Sequence, residues 1–151
     1  MKKTVTWILI ADGARARLVV KANNIDGYKQ VIDTDFITDN RPSHEIGTER
    51  PGRTHDSAGS ARHALQPPAD PHREEKRHLA KRVAAFLEEQ RQQKAFERLV
   101  VIAAPQALGD LRGSFPVPLQ SMVAEEIDKD LTMFSLNDLQ DKLPELIETN
   151  H

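Results

Sequence analysis

The sequence has no cysteine and no long apolar run, and each absence removes classes of protein. Without cysteine, the 151-residue chain has no disulfide framework, no thiol nucleophile and no cysteine-ligated zinc or iron–sulfur site. The apolar stretch at residues 5–11 is too short for a signal peptide with its cleavage site, and far shorter than the ~20 residues of a membrane helix. We therefore expect one domain, residues 1–151, that is cytoplasmic and has no membrane partner.

Aromatic residues are also scarce, and none lies between Phe36 and Phe86. Base stacking on single-stranded nucleic acid is therefore not expected in the middle of the chain. The formal net charge is -2, but residues 41–82 carry 9 Lys and Arg against 6 Asp and Glu. This local excess favours a partner with phosphate groups, and the alternative is a solvated surface on which the acids pair with the bases.

The first forty residues have the pattern of an antiparallel meander. Val5–Ala11 is apolar on both alternating faces, which predicts a central strand that is covered on both sides. Asp12-Gly13 is a turn signal, and residues 15–22 then predict a second strand with one solvent-facing side that includes Arg17. Residues 28–36 predict a third strand.

Helices alternate with strands in the second half of the chain. Asp70-Pro71 predicts a helix start, and the apolar spacing after it predicts a core-facing helix. Residues 99–104 predict a buried parallel strand, followed by a helix at residues 105–115. Alternation over residues 123–129 predicts a fifth strand, and residues 135–146 predict the last helix. This order predicts a ribonuclease-H-like α/β domain with a mixed five-stranded sheet, three antiparallel strands plus parallel strands, and helices on both faces.

A long loop, residues 38–72, separates the two halves and is the first candidate functional segment. It is rich in Arg, Gly and His, and its only large apolar residues are Ile46 and Leu65. Loops of this length inside a compact domain are uncommon and are usually functional or disordered. Interspersed glycines let guanidinium and backbone N–H groups approach phosphates closely. The predicted nucleic-acid-binding residues are Arg50, Arg53, Arg62 and His63 in the loop and Arg73, Lys76 and Arg77 in the helix after it.

Three enzyme chemistries find less support in the sequence. A two-metal nuclease needs several carboxylates at the carboxyl ends of the strands, but only Asp12 fits, since the fourth strand ends in Ala103-Ala104-Pro105. The histidines of residues 44–78 supply ligands for zinc or nickel, but without a metal-binding spacing. Ser57 and Ser60 lack the surroundings of a nucleophile elbow. The sequence therefore assigns no catalytic residue, no metal site and no cofactor.

Several stretches resemble the bacterial host attachment protein family, described as proteins required for attachment to host cells. The stretches are Trp7–Arg17, Glu49–Arg53 with Asp56–Gly59, Asp70–Arg73 and Glu126–Leu131. They extend over almost the whole chain and are specific in combination. The family name implies a protein-interaction module that acts in attachment to host cells or surfaces.

The loop and the helix after it also resemble the middle domain of archaeal and eukaryotic peptide-chain release factors. Gly59–Arg62 stands where those factors carry their Gly-Gly-Gln loop, and Arg73–His78 opens a similar basic helix. The resemblance implies a translation-related domain that docks on the ribosome or on tRNA, with phosphate contacts from Arg62 and the basic helix. Gly-Gly-Gln itself is missing, because Gln66 precedes two prolines. A peptidyl-tRNA hydrolase activity that depends on His63 therefore stands as an alternative to RNA binding alone.

Overall fold

The computed structural model describes residues 4–22, 27–32, 35–38 and 70–147. The strands are β1 Val5–Ala11, β2 Arg15–Ala22, β3 Lys29–Gln30, β4 Phe36–Ile37, β5 Arg98–Ala103 and β6 Val123–Asp128. The helices are α1 Arg73–Gln92, α2 Pro105–Ser114, α3 Val117–Gln120 and α4 Leu136–Leu146. None of these helices combines the length and the apolar character that a membrane span requires.

The strands form one mixed sheet in the order β3-β2-β1-β5-β6, and β4 also pairs with β2. β1 is central because both of its faces are apolar, and Ile8, Leu9 and Ile10 are fully buried. β2 runs antiparallel to β1, while β5 and then β6 continue the sheet in parallel on the other side. The predicted mixed α/β fold, with antiparallel and parallel strands in one sheet, is confirmed.

Each face of the sheet carries its own apolar core. On one face, α1 and α2 pack against β1 through a cluster that includes Trp7 and Leu9. On the other face, Leu139 and Leu143 of α4 join the cluster around Ile8. We call these two sides the α1 face and the α4 face. Their helices confirm the prediction that both faces of the sheet are covered.

The predicted third strand is divided into two short strands. β3 pairs with β2 at Val19 and Val20, and β4 pairs with β2 at Arg15 and Ala16. Asp35 lies just before β4 and places Oδ2 3.7 Å from Nε of Arg15. Aspartate is disfavoured inside strands, which fits the break between β3 and β4. The sheet formed by the described residues therefore has six strands, not five.

The middle of β2 is covered on both sides, so the prediction of a solvent-facing side is wrong at Arg17 and Val19. Arg17 and Val19 alternate with the residues of the α1 face and are 7% and 0% exposed. Val19 belongs to the core under α4, which is more than 115 residues later in the chain. Local alternation of polar and apolar residues does not predict burial by such a distant helix, because the burial of a strand face depends on its tertiary neighbours.

α1 begins later than the Asp70-Pro71 signal predicts. His72 is the N-cap, and its side chain makes no capping hydrogen bond. Asp70 Oδ1 accepts the N–H of His72 at 2.9 Å, and the carbonyl oxygen of Asp70 accepts the N–H of Arg73 at 3.0 Å. Asp70 and Pro71 therefore form a turn in front of the helix, a role that Asp side chains commonly play.

Candidate functional site

The carboxyl ends of β1, β5 and β6 meet at one edge of the sheet, the carboxyl edge, where open α/β sheets usually hold their sites. β1 leads into a turn in which Asp12 Oδ1 accepts the N–H groups of Ala14 and Arg15 at 2.9 Å each. Gly13 has φ +97°, a left-handed conformation that favours glycine. The turn signal in the sequence is confirmed, and it fixes Asp12 at this edge.

Thr132 lies between two carboxylates at the carboxyl edge. Its Oγ1 is 3.0 Å from Asp12 Oδ2 and 2.6 Å from Asp130 Oδ1. The residue is 1% exposed. A hydroxyl has one proton to donate, so only one of the two carboxylates accepts it at a time. The contact ties the segment after β6 to the end of β1.

Arg17 of β2 holds the same segment from the α4 face. Its Nη1 donates to the carbonyl oxygen of Thr132 at 3.2 Å and to that of Phe134. Its Nε lies 4.0 Å from Asp35 Oδ1. Hydrogen bonds from a charged donor are stronger than neutral ones. Arg17 therefore positions Thr132 and Asp130. Nothing in the sequence around Arg17 predicts this role.

Two ion pairs fix the start of α1 near the same edge. Arg73 makes a bidentate pair with Asp110 of α2, with N–O distances of 2.7 and 2.6 Å. Lys76 Nζ donates to Asp70 Oδ2 at 2.8 Å, and the Lys76 side chain lies beside Gly13. The hydrogen bond from Lys76 holds the pKa of Asp70 below its ordinary value, and the bond to Asp110 raises the pKa of Arg73.

The residues predicted to bind nucleic acid divide into two groups. Arg50, Arg53, Arg62 and His63 lie outside the described residues. Arg73 and Lys76 are engaged in the ion pairs above. Arg77 pairs with Glu74 at 3.3 Å, but these side chains are 51% and 69% exposed, and exposed pairs contribute little. Of the three residues in α1, Arg77 is therefore the most accessible to a partner.

Two further cations of α1 have no carboxylate partner in the part of the chain that the structure describes. Lys81 and Arg82 are exposed, and Arg82 Nη2 donates to the carbonyl oxygen of Ile37. A carbonyl leaves the positive charge of Arg82 uncompensated. Together with His78 and Glu75 they line a shallow cleft of about 520 Å³. We call His78, Lys81 and Arg82 the α1 basic patch. In the sequence, these residues lie outside the apolar stripe of the helix, and this spacing predicts that they are exposed.

A second cleft of about 660 Å³ opens outside the carboxyl ends of β5 and β6. Its charged lining residues are Lys129, Lys142, Asp128, Asp130 and Glu145. Charges of both signs favour neither an anion nor a cation there. Within residues 4–22, 27–32, 35–38 and 70–147, no three Asp, Glu or His side chains come together as a metal site.

A model of the family described as proteins required for attachment to host cells matches residues 7–143. The chain belongs to this family. The match does not support the release-factor resemblance, which stays a prediction. No curated protein matches the chain in sequence.

The crystal structure of the type II variant of the Aquifex aeolicus Ppx/GppA phosphatase resembles this member of the family at 14% identity and a TM-score of 0.37. The similarity covers 85% of this chain and 36% of the phosphatase chain. The chain therefore spans little more than a third of that protein, and no functional conclusion follows from it. The carboxyl edge and the α1 basic patch both lie inside the residues that the host attachment model matches.

Proposed function

We propose that this host attachment family member binds RNA, either ribosomal RNA or tRNA, through the α1 basic patch and residues 39–69. The observation that carries the proposal is the exposure of Lys81 and Arg82 without a carboxylate partner among the described residues. Unpaired ammonium and guanidinium groups favour phosphate, and phosphate contacts supply most sequence-independent affinity for nucleic acids. Binding of this kind reads the backbone and shape of a folded RNA and needs no catalytic group.

The described residues on either side of residues 39–69 contact the same helix, α1. At one end, Ile37 accepts a hydrogen bond from Arg82. At the other end, Asp70 accepts a hydrogen bond from Lys76. These two contacts support the proposal that the predicted residues Arg50, Arg53, Arg62 and His63 bind RNA together with the patch.

The first test measures the affinity for fluorescently labelled tRNA by anisotropy at several salt concentrations. Lys81→Ala/Arg82→Ala removes two cations, so the slope of log K against log salt should fall by about 2, or about one for each phosphate contact. The control Lys29→Ala/Lys129→Ala removes two exposed cations elsewhere and should keep the slope. Binding that is insensitive to salt, or an equal change in both double variants, contradicts the proposal.

The second test separates tRNA from the ribosome and addresses the residues outside the described part. Cosedimentation with ribosomal subunits at two salt concentrations should show binding at low salt that is lost at high salt. The triple variant Arg53→Ala/Arg62→Ala/Arg77→Ala should weaken whichever RNA complex is found. Unchanged cosedimentation of the triple variant removes these three residues from the RNA surface.

A protein-interaction module in attachment to host cells is the second candidate, and the family's description suggests it. The position of β6 at the margin of the sheet favours it, since β6 has one strand neighbour among the described residues. Pull-down from cell extract distinguishes the two functions. Ribosomal subunits that are lost on RNase treatment support RNA binding, and a discrete protein that persists supports the second candidate.

A further inference from the structure

β6 is an edge strand that offers backbone hydrogen-bonding groups to a partner. Among the described residues its only strand neighbour is β5, which pairs with it in parallel over Val123–Asp128. The outer side of an edge strand presents unpaired N–H and C=O groups. A further extended segment can therefore add to the sheet at this position, a mode in which backbone bonds give affinity and side chains give specificity.

A β-bulge determines which side chains of β6 lie on each face. Leu99 is opposite Val123, but Val100 is opposite Glu125, so Ala124 is an extra residue in the strand. Val123 consequently packs on the α1 face, while Ile127 packs on the α4 face. The strand predicted at residues 123–129 is confirmed as β6, with alternating burial, but the bulge places Val123 on the opposite face from Glu125 and Ile127.

The same register divides the acidic side chains of β6 between the two faces. Glu126 and Asp128 are opposite Val101 and Ala103, so they lie on the α1 face, and both are exposed. Glu125 lies on the α4 face. Arg112 of α2 pairs with Glu126 through both Nε and Nη2; the Arg112 side chain is 62% exposed and that of Glu126 is 29% exposed, so a cationic side chain of an added segment would have to join or displace this pair.

A groove of about 530 Å³ runs beside this edge. Its apolar lining is Phe115, Val123 and Ala124, and its polar lining is Arg112, Gln120, Glu125 and Glu126. An apolar side chain of an added segment would contact the end of the groove formed by Val123, and cationic side chains would contact the end formed by Glu126. The groove thus offers a side-chain site next to the backbone edge.

A second copy of the chain is a poor occupant of this edge in the two-fold registers that would pair most of β6. Two-fold antiparallel pairing centred on Glu125 or on Glu126 places each glutamate opposite its own copy. Pairing centred between them places Glu125 opposite Glu126. Like charges directly opposite one another destabilise a strand pair. Charge complementarity instead favours a strand that carries lysine or arginine.

We propose that β6 binds an extended basic segment of a partner protein by strand addition. The segment has Lys or Arg at alternate positions, opposite Glu126 and Asp128, and an apolar residue that fits the groove beside Val123. The α1 basic patch contacts β4 at the opposite edge of the sheet, so this surface is separate from the proposed RNA surface.

The test uses synthetic peptides of nine residues and fluorescence anisotropy with the full chain. A peptide in which Val, Lys and Lys occupy successive alternate positions, so that all three lie on the face of Val123, Glu126 and Asp128, should bind more tightly than a peptide of the same composition in which the two lysines are adjacent. N-methylation of the N–H groups on one edge of the alternating peptide should abolish binding, while methylation on the other edge should leave it unchanged. Equal binding of both patterns, or equal effects of both methylations, overturns strand addition.

Variants of the protein test the charge requirement. Glu126→Gln/Asp128→Asn should weaken binding of the alternating peptide about three- to tenfold, as expected for two cross-strand charge pairs. The control Asp141→Asn/Glu145→Gln removes two exposed acidic charges from α4 and should leave binding unchanged. An equal loss in both double variants means that net charge alone attracts the peptide, and this result overturns the assignment to β6.

Discussion

Arg17→Leu is the sharpest test of how the carboxyl edge is built. The substitution keeps the apolar part of a side chain that is 9% exposed and removes its guanidinium. The carbonyl oxygens of Thr132 and Phe134 then lose a charged donor inside the protein. The segment that carries Asp130 also loses its tie to β2.

The expected loss of unfolding free energy is about 2 kcal/mol. A hydrogen bond to a charged group contributes ~1.5–3 kcal/mol, and a buried carbonyl left without a donor costs a further ~1–3 kcal/mol. Burial of the leucine side chain offsets part of this loss by ~1.5–3 kcal/mol. A net loss of this size is a large fraction of the ~5–15 kcal/mol stability of an ordinary domain.

Urea unfolding followed by circular dichroism measures the effect, and Arg15→Leu is the matched control. Arg15 lies two residues earlier in β2 and contacts the same Asp35, but its side chain is 43% exposed. Exposed pairs contribute ~0–1 kcal/mol, so Arg15→Leu should have little effect. Equal losses in the two variants would refute the role given to the carbonyl contacts of Arg17. Hydrogen exchange should also accelerate at Thr132 in Arg17→Leu only.

Three further predictions concern local contacts. Thr132→Val removes only the hydroxyl shared by the two carboxylates and should cost about 1–2 kcal/mol in urea unfolding, while Thr132→Ser should keep most of the stability. Ser135→Ala removes the acceptor for the N–H of Asp138 and should cost about 1 kcal/mol; an unchanged urea midpoint would contradict the capping role. The hydrogen bond from Arg91 lowers the pKa of Glu88 from 4.5 to about 2. This carboxylate therefore stabilises the fold above pH 4.5 and loses its contribution as the pH falls towards 2, so a profile of Tm against pH should flatten in that range in Glu88→Gln.

The sequence predicts the elements whose signals are local. β1 has the predicted bounds Val5–Ala11, because continuous apolarity marks a strand that is covered on both sides. α2 begins at Pro105, a residue that suits the first helical position. Ser135 caps α4 as predicted, since its side chain accepts the N–H of Asp138. Each of these features depends on residues within one or two turns of chain.

The features that the sequence does not predict depend on distant residues. Thr132 contacts Asp12 across 120 positions, and Arg17 donates to carbonyl oxygens that are 115 and 117 positions later. Arg73 has the composition of a phosphate ligand, but its partner Asp110 is 37 residues later. The spacing of charged residues in the sequence identifies candidate phosphate-binding cations but does not show which of them form ion pairs within the fold. Lys81 is therefore identified as unpaired among the described residues only when the ion pairs of the structure are known.

The two proposed surfaces lie at opposite margins of the sheet, too far apart for their charges to attract one another strongly. Arg82 contacts β4 beyond β2, whereas Glu126 lies on β6 at the other margin. Four strand spacings of ~4.8 Å place these margins about 19 Å apart. This is about two screening lengths at physiological salt, so attraction between the two surfaces within one chain is weak. Neither surface therefore neutralises the other in the described fold; the cations of the α1 basic patch have no carboxylate partner among the described residues, whereas Glu126 is paired with Arg112 of α2.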